Sequence, residues 1–191
     1  MNAFECGAKT SAKEAAHERE YKDGIAMETK ELYREILNEH NLNPAHKKSM
    51  ARPSLVLNGV NPSCGDNITL SLQIGDDGTI IDGSFTGSGC AISQASVDMM
   101  LDLIVGKNKI EALRLANIFM NMIKGKAAAA DIEELDEAAS LEDVSKMPAR
   151  VKCAVLGWRT MMEMFDKDKS VGSGSATHCD NCTQKTACTK A

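Results

Sequence analysis

The sequence predicts an α+β fold in which a small antiparallel sheet precedes a set of helices. Residues 68–74, ITLSLQI, alternate strictly between apolar and polar side chains, as in a strand with one buried face. From Ile92 onward the apolar residues instead recur at helical spacing, at positions 92, 95, 99, 100, 103 and 104. This change of period separates a strand-rich part of the chain from a helix-rich part.

The strand-rich part is preceded by one predicted helix. Residues 29–40 carry an apolar stripe at helical spacing, formed by Leu32, Tyr33, Ile36 and Leu37. Strand candidates follow at 54–60 and 68–74. The segment GDDG, residues 75–78, predicts a hairpin turn that leads into a third strand at 79–85.

The helix-rich part contains clear start and stop signals. Gly106 is placed to end the helix that begins near Ile92, and Asn108 to cap a second helix that ends at Gly125. The acidic, Ala-rich segment 127–147 predicts a short helical excursion, and its SLED sequence resembles a capping box. A last helix is predicted from Pro148, with a buried face made by Val151, Ala154, Val155, Trp158, Met162 and Phe165.

These patterns divide the chain into three parts. Residues 1–28 are a polar N-terminal extension that contains Cys6, and residues 29–167 are the folded domain. Residues 168–191 are a flexible Gly/Ser linker followed by a cysteine-rich tail.

Composition excludes several classes of function. The net charge of −5 gives no basic face for nucleic acid. No apolar run approaches the ~18 residues of a membrane span, and the N-terminus lacks the apolar core of a secretory signal. We therefore expect a cytoplasmic protein, with no nucleic-acid or membrane partner. In that reducing compartment the seven cysteines favour metal binding or catalysis over disulfides.

Three cysteines of the predicted domain stand at element boundaries. Cys64 lies in the turn before a strand, Cys90 ends a glycine-rich loop at a helix start, and Cys153 lies early in the last helix. Such boundaries can meet at one rim of a fold. With Asp66 they make a Cys₃Asp set, enough for a tetrahedral metal site or a reactive sulfur.

The residues around the cysteines favour the ionised form of the thiols and leave room for a partner or substrate to approach them. Cys90 sits where a helix N-terminus stabilises negative charge. Gly87 and Gly89 remove side chains beside it, and Gly157 is expected to keep the flank of Cys153 open. Arg150 lies one helical turn before Cys153, where it could pair with Asp66 or steady a thiolate.

Other interpretations of the same residues remain. A single buried cysteine is more often a small hydrophobe than a ligand, and a single turn aspartate is more often a cap. The glycine-rich segment GSFTGSG lacks the GK[ST] ending of a phosphate loop. The joint pattern of three cysteines and one aspartate therefore carries the metal or sulfur hypothesis.

Four segments resemble the U-type iron–sulfur cluster assembly proteins. They are ELYREILNEHNLNP, NPSCGDNITLSLQI, GSFTGSGCAISQASVDMM and RVKCAVLGWRTM, and together they span roughly residues 30–166. The resemblance implies a three-stranded antiparallel sheet packed against a bundle of about four to six helices, as in the SufE/IscU-like fold. Lys152 stands where IscU-like scaffolds carry a histidine, and the gap from Cys90 to Cys153 is long. Both features resemble the SufU branch.

The resemblance implies a function and a set of site residues. Zn²⁺ would be held by Cys64, Asp66, Cys90 and Cys153. Cys64 matches the cysteine that accepts persulfide sulfur from a SufS-type cysteine desulfurase, and Arg150 matches an arginine that contacts the partner or the carboxylate. Downstream cluster scaffolds or carriers are the further partners. The role is that of a sulfur acceptor or scaffold more than of a classical turnover enzyme.

Two alternatives use the same ligands. Iron could replace zinc, and a [2Fe–2S] cluster could be assembled on these residues and transferred to apo-proteins. Alternatively, the chain is a binding module whose zinc only stabilises its structure. The Asp66 carboxylate argues against the structural alternative. A carboxylate is a harder ligand than a thiolate and less suited to a soft metal, so Asp66 is predicted to be the ligand that exchanges.

The tail departs from the family pattern. It carries His178, Cys179, Cys182 and Cys188. A C-x-x-C pair with a neighbouring histidine suits a second metal site or a redox or sulfur-relay role, and a passive tail is the third reading.

Overall fold

The computed structural model describes residues 31–172, with side chains from 31 to 168. Cys6 and the tail residues His178, Cys179, Cys182 and Cys188 lie outside the described residues, as does the extension 1–28. The proposed boundaries at 28 and 168 therefore stay predictions.

The sheet has three strands in the order β1-β2-β3, and each neighbouring pair is antiparallel. The strands are β1, Leu55–Asn61; β2, Asp66–Ile74; and β3, Ile80–Ser88. The alternation in β2 has its predicted effect, because Ile68, Leu70 and Leu72 are all at most 2% exposed. The predicted sheet is confirmed, although β2 begins at Asp66 and β3 runs on to Ser88.

Helices cover one face of this sheet. Among the described residues there are six α-helices and one 3₁₀ segment. They are α1, 31–42; α2, Ala91–Ile104; α3, Lys109–Ile123; α4, Ala129–Glu133; the 3₁₀ segment, Asp136–Lys146; α5, Pro148–Ala154; and α6, Leu156–Gly172. The predicted α+β fold, with its helical bundle on a three-stranded sheet, is confirmed. No helix in this described part combines the length and hydropathy needed to cross a membrane.

The predicted helix signals at the α2–α3 junction are confirmed. Gly106 has φ 83°, and Asn108 caps α3 by accepting a hydrogen bond from the backbone N–H of Glu111 at 2.9 Å. Gly125 follows the end of α3 with φ 66°. A left-handed residue after the last helical turn lets the chain reverse direction.

Three local predictions differ from the structure. Leu32 is 56% exposed, so the half-buried stripe of α1 starts at Tyr33 and ends at His40, which is buried. No capping box forms at SLED, because Ser140 lies inside the 3₁₀ segment and its buried hydroxyl has no hydrogen-bond partner among the residues that the structure describes. The last helix is broken at Val155 into α5 and α6, where the Ser96 hydroxyl donates to the Ala154 carbonyl.

The break between α5 and α6 changes which residues are buried. Met161 is fully buried, whereas Met162 and Val151 are only half-buried. Trp158 stacks on Phe119 of α3, with ring centroids 4.2 Å apart. The two rings lie at the centre of the core between α3 and α6.

Gly157 does not keep the flank of Cys153 open, as the sequence suggested. A Cβ at this position would lie 2.5 Å from Cγ2 of Val97 on α2. The missing side chain instead lets α6 approach α2 closely. This contact fixes the position of α2 relative to the α5–α6 junction.

Candidate metal centre

The turn between β1 and β2 presents Cys64 to solvent. Asn61 and Asp66 are register partners across the two strand ends, and Gly65 turns the chain with φ 71°. The backbone N–H of Cys64 donates to the Asn61 carbonyl at 3.2 Å. The turn therefore exposes the Cys64 thiol while it buries the Asp66 carboxylate, which is 0% exposed.

The start of α2 supplies the second side of the centre. Cys90 is the N-cap residue of α2, and its backbone N–H donates to Asp66 Oδ1 at 2.8 Å. A Cβ on Gly89 would lie 3.3 Å from the same oxygen. Gly89 therefore makes room for Asp66 itself and not for an outside partner.

Gly87 has a similar internal role. Its φ of 113° suits glycine, and a Cβ there would lie 2.1 Å from the Asn67 carbonyl oxygen of β2. The glycines of the loop thus bring β3 and the start of α2 against β2. The predicted access for a partner at Gly87 is wrong for this reason.

The short helix α5 brings in the third cysteine. Cys153 is 0% exposed, and its thiol donates to the Cys64 sulfur across 3.2 Å. Ligand atoms of Cys64, Asp66 and Cys153 all lie within 4.8 Å of one another. Burial raises the pKa of the Cys153 thiol, and hydrogen bonding with Cys64, Cys90 and Asp66 adds to the rise.

The residues fit a zinc ion. Tetrahedral Zn²⁺ with sulfur ligands at about 2.3 Å separates those sulfurs by roughly 3.8 Å, close to the Cys64–Cys153 spacing of 3.2 Å. Cys90 is not in the group within 4.8 Å, but its thiol is close enough to influence the Cys153 pKa. Rotation about χ1 is the single torsion that moves its sulfur relative to its fixed backbone.

Asn61 is a member of the centre that the sequence analysis missed. Its Nδ2 donates to Asp66 Oδ2 at 2.9 Å and to Cys153 Sγ at 3.4 Å. The side chain is 5% exposed. The only hint in the sequence is its position directly before Pro62 in the turn, which is ordinary for an asparagine.

Arg150 lies beside the centre, and no salt bridge joins it to another residue of the described part of the chain. It lines a surface cavity of about 360 Å³ together with Cys90, Ala91 and Ile92. Among the described residues no side-chain hydrogen bond or salt bridge joins Arg150 to Asp66. That carboxylate is instead held by Asn61 and the Cys90 backbone.

A second cavity of about 360 Å³ lies on the other side of the turn. Lys152, Arg159 and Glu163 line it, together with the strand end at Asn61 and Ser63. The Lys152 ammonium donates to the Ser63 hydroxyl at 3.3 Å. One cavity is therefore lined by the turn residues just before Cys64, and the other by Cys90 and Arg150.

A histidine–carboxylate cluster, which the sequence analysis also missed, lies further along α2. We use this name for His40, His46, Asp98, Asp102 and Glu137. Asp98 is 1% exposed and accepts from the backbone N–H groups of Ala45 and His46. His40 lies 2.9 Å from Asp98 and 2.7 Å from Glu137, while His46 lies 2.9 Å from Asp102.

The pKa of His40 in this cluster is raised. Burial by itself would lower the pKa, but the hydrogen bonds to Asp98 and Glu137 outweigh it. The protonated ring bonds the end of α1 to α2 and the 3₁₀ segment. In residues 31–168 this is the second group with metal-ligand chemistry, formed by His40, Asp98 and Asp102.

Comparison with known proteins gives a family match over most of the chain. The family described as the NifU-like N terminal domain matches residues 32–167. A Bacillus subtilis protein named zinc-dependent sulfurtransferase SufU is 40% identical over 139 residues, covering 72% of this chain and 92% of that protein. An iron-sulfur cluster assembly scaffold protein IscU of Streptococcus pyogenes is 42% identical, covering 71% of this chain and 84% of that protein.

Solved structures agree with the sequence match. A putative iron-sulfur cluster assembly scaffold protein for the SUF system from Fervidobacterium islandicum superposes with a TM-score of 0.63 at 34% identity. The match covers 68% of this chain and 93% of that one. A NifU-like protein from Brucella abortus, at 22% identity and a TM-score of 0.62, shares the fold.

Proposed function

The chain belongs to the family of NifU-like N-terminal domains, and on that premise we propose that it is a zinc-binding sulfur acceptor in iron–sulfur cluster assembly. Zn²⁺ is held by Cys64, Asp66, Cys90 and Cys153. Cys64 accepts persulfide sulfur from a cysteine desulfurase of the SufS type. The name of the Bacillus relative, zinc-dependent sulfurtransferase, supports the zinc and sulfur-transfer parts of this proposal, and the name of the Streptococcus relative supports a role in iron–sulfur cluster assembly.

One observation carries the proposal. Of the ligand-type groups gathered at the centre, Cys64 is exposed, whereas Asp66 and Cys153 are each 0% exposed. A sulfur acceptor must be reached by another protein's persulfide, and the exposed thiol meets this need. Asp66, which the sequence suggested as the exchangeable position, is held from two sides and suits a permanent ligand.

Bound zinc would keep the thiols deprotonated and add folding free energy at the junction of three elements. The reaction itself belongs to Cys64. Its thiolate attacks the outer sulfur of the desulfurase persulfide, and a new S–S bond forms at Cys64. The S–S bond of the donor breaks, and the donor cysteine leaves as a thiolate. No net oxidation occurs, because one persulfide replaces another.

The two cavities beside the turn provide the docking surface for the desulfurase. Arg150 on one side and Lys152 on the other offer charge to the partner near the exposed thiol. The acceptor then passes its sulfur to a downstream cluster scaffold or carrier. These proteins work in the cytoplasm, where reducing conditions keep the cysteines free.

The proposal is tested by sulfur uptake from a SufS-type desulfurase and cysteine. We expect mass spectrometry to find one additional sulfur on the Cys64 peptide of the zinc-loaded full chain. Cys64→Ala should abolish that label, while the control Ser54→Ala, at an exposed serine just before β1, retains it. Equal persulfide labelling of the wild type and Cys64→Ala contradicts the assignment of the acceptor.

Arg150 and the identity of the metal are tested in the same preparation. Arg150→Ala should weaken desulfurase activation by roughly tenfold, the cost of about 1.4 kcal/mol of lost contact, at unchanged zinc content. Arg34→Ala on α1 is the control. One equivalent of zinc in anaerobically purified protein supports sulfur transfer, and iron with acid-labile sulfide supports the scaffold alternative.

A further inference from the structure

We propose that Asn61 is a positioning residue that holds Asp66 and Cys153 as a fixed half of the metal centre. Cys64 is thereby left as the ligand that exchanges. This inference rests on the proposed zinc site and assigns a role to a residue outside the ligand set. It is carried by the orientation, burial and partners of a single amide.

The orientation of the Asn61 amide is determined by its surroundings. The backbone N–H of Ser63 donates to Oδ1 at 3.3 Å, and an N–H group requires an oxygen as its partner. Nδ2 therefore faces the centre, where it donates to Asp66 Oδ2 and Cys153 Sγ. One side chain from the end of β1 thus ties the first residue of β2 to α5.

The bonds to Asp66 come from opposite sides. Oδ2 accepts from Asn61 at 2.9 Å and Oδ1 accepts from the Cys90 backbone N–H at 2.8 Å. Each carboxylate oxygen keeps a second lone pair for a metal ion. A buried carboxylate with both oxygens held has little freedom to leave that ion.

Cys64 has no such restraint. Among the described residues its sulfur is joined only to the Cys153 thiol, and its side chain is exposed. The amide of Asn61 donates to two of the four proposed ligands, and within the described residues it bonds neither the Cys64 nor the Cys90 sulfur. The difference in restraint between Cys64 and its neighbours therefore originates in large part from one residue.

The test follows which thiol becomes reactive in the zinc-loaded full chain. An alkylating reagent is added under native conditions, and peptide mass spectrometry reads the Cys64, Cys90 and Cys153 peptides over time. In the wild type, Cys64 should react first and Cys153 should stay protected. Asn61→Leu keeps the side-chain shape but removes both donors, and should raise Cys153 labelling roughly tenfold, the lower bound for loss of an outer partner of a metal ligand.

The same variant should release zinc to a chromophoric chelator faster by a similar factor. Asn58→Leu is the matched control, because Asn58 is an exposed asparagine on the same strand that bonds Asn67 and Thr69. It should leave both rates unchanged. Asn61→Ala, with less bulk, repeats the test if Asn61→Leu does not fold.

If a folded Asn61 variant labels its cysteines in the same order as the wild type and releases zinc at the same rate, the inference is overturned. Labelling that rises equally at all three cysteines also overturns it, since that indicates general loosening. Failure of this inference can be distinguished from failure of the proposed function. A wild type that binds zinc with Cys153 protected, but takes up no sulfur, refutes sulfur transfer and leaves Asn61 to be judged by its variants. A wild type that binds no zinc overturns both.

Discussion

Two regions within residues 31–168 gather side chains with metal-ligand chemistry, and they differ in what those side chains bond. In the metal centre Cys64 is exposed, and sulfurs face one another at the junction of a turn, α2 and α5. In the histidine–carboxylate cluster both imidazole nitrogens of His40 are taken by carboxylates. Asp98 is saturated further by two backbone N–H groups.

The difference teaches how a site is distinguished from a structural junction. Opposite charges and complementary hydrogen-bonding groups, as in the cluster, satisfy one another and need no ligand. Thiols and a carboxylate, as in the metal centre, all become acceptors when deprotonated and need a cation to share. The two regions lie on the same helix, since Cys90 caps α2 and Asp98 lies eight residues further on.

The largest expected effect comes from breaking the cluster at Asp98. Asp98→Ala should lower the free energy of unfolding by about 3–5 kcal/mol, because it leaves the Nδ1 side of His40 and two backbone N–H groups without the Asp98 acceptor. Urea unfolding followed by circular dichroism measures the loss. Asp102→Ala, at a side chain 47% exposed, is the control and should cost less than about 1 kcal/mol. Equal losses in the two variants would show that the cluster is not a structural junction.

Metal removal should have the next largest effect and acts on the other region. Chelation should lower the unfolding free energy by about 3–4 kcal/mol when zinc had been present at several hundred times its Kd. Calorimetry with and without the chelator measures the change. Asp98→Ala should lose the same increment on chelation, because independent regions contribute additively. A markedly different increment would mean that α2 couples the two regions.

A smaller effect is expected where α6 packs on α2 between the two regions. Gly157→Ala should cost about 1–3 kcal/mol, since its Cβ would overlap Val97. Combining it with Val97→Ala makes room for that methyl group, so the double variant should lose less than the sum of the single losses in urea unfolding. If the loss in the double variant equals the sum of the two single losses, the strain caused by Gly157→Ala does not come from contact with Val97.

The smallest effect is the pH dependence of stability that His40 contributes below the range in which cysteines titrate. Because the folded-state pKa of His40 is raised, its stabilisation is fully present below the ordinary histidine pKa and is lost as pH rises through the raised value. Urea midpoints measured in chelator from about pH 5 to pH 8, below the ordinary cysteine pKa, should therefore fall, and His40→Gln should flatten the fall. An identical pH profile in His40→Gln would assign the titration to another group.

The sequence predicted the fold because its signals are local. Alternation in β2 and the caps at Asn108 and Gly125 depend on neighbouring residues, and the structure confirms them. The break at Val155 could not be predicted in this way. It depends on the Ser96 hydroxyl and on the space between Gly157 and Val97, which involve a distant helix.

The candidate site was also predicted only in part, and again the local signals were the ones that could be recognised. Cysteines at element boundaries are visible in the sequence because few other uses explain them. Asn61 and His40 have ordinary structural uses everywhere, so nothing in one sequence separates them from a turn residue or a helix surface residue. Their roles come from pairings between residues 5 to 97 positions apart.

The chain has one tryptophan, and its place in the core makes it an intrinsic fluorophore for the metal centre. The indole N–H of Trp158 donates to the Ser96 hydroxyl, which donates in turn to the carbonyl of Ala154, the residue after Cys153. We expect any movement of α5 that accompanies ion binding or sulfur transfer to change this relay and hence the tryptophan emission. The protein thus carries its own optical reporter of the event at its surface turn.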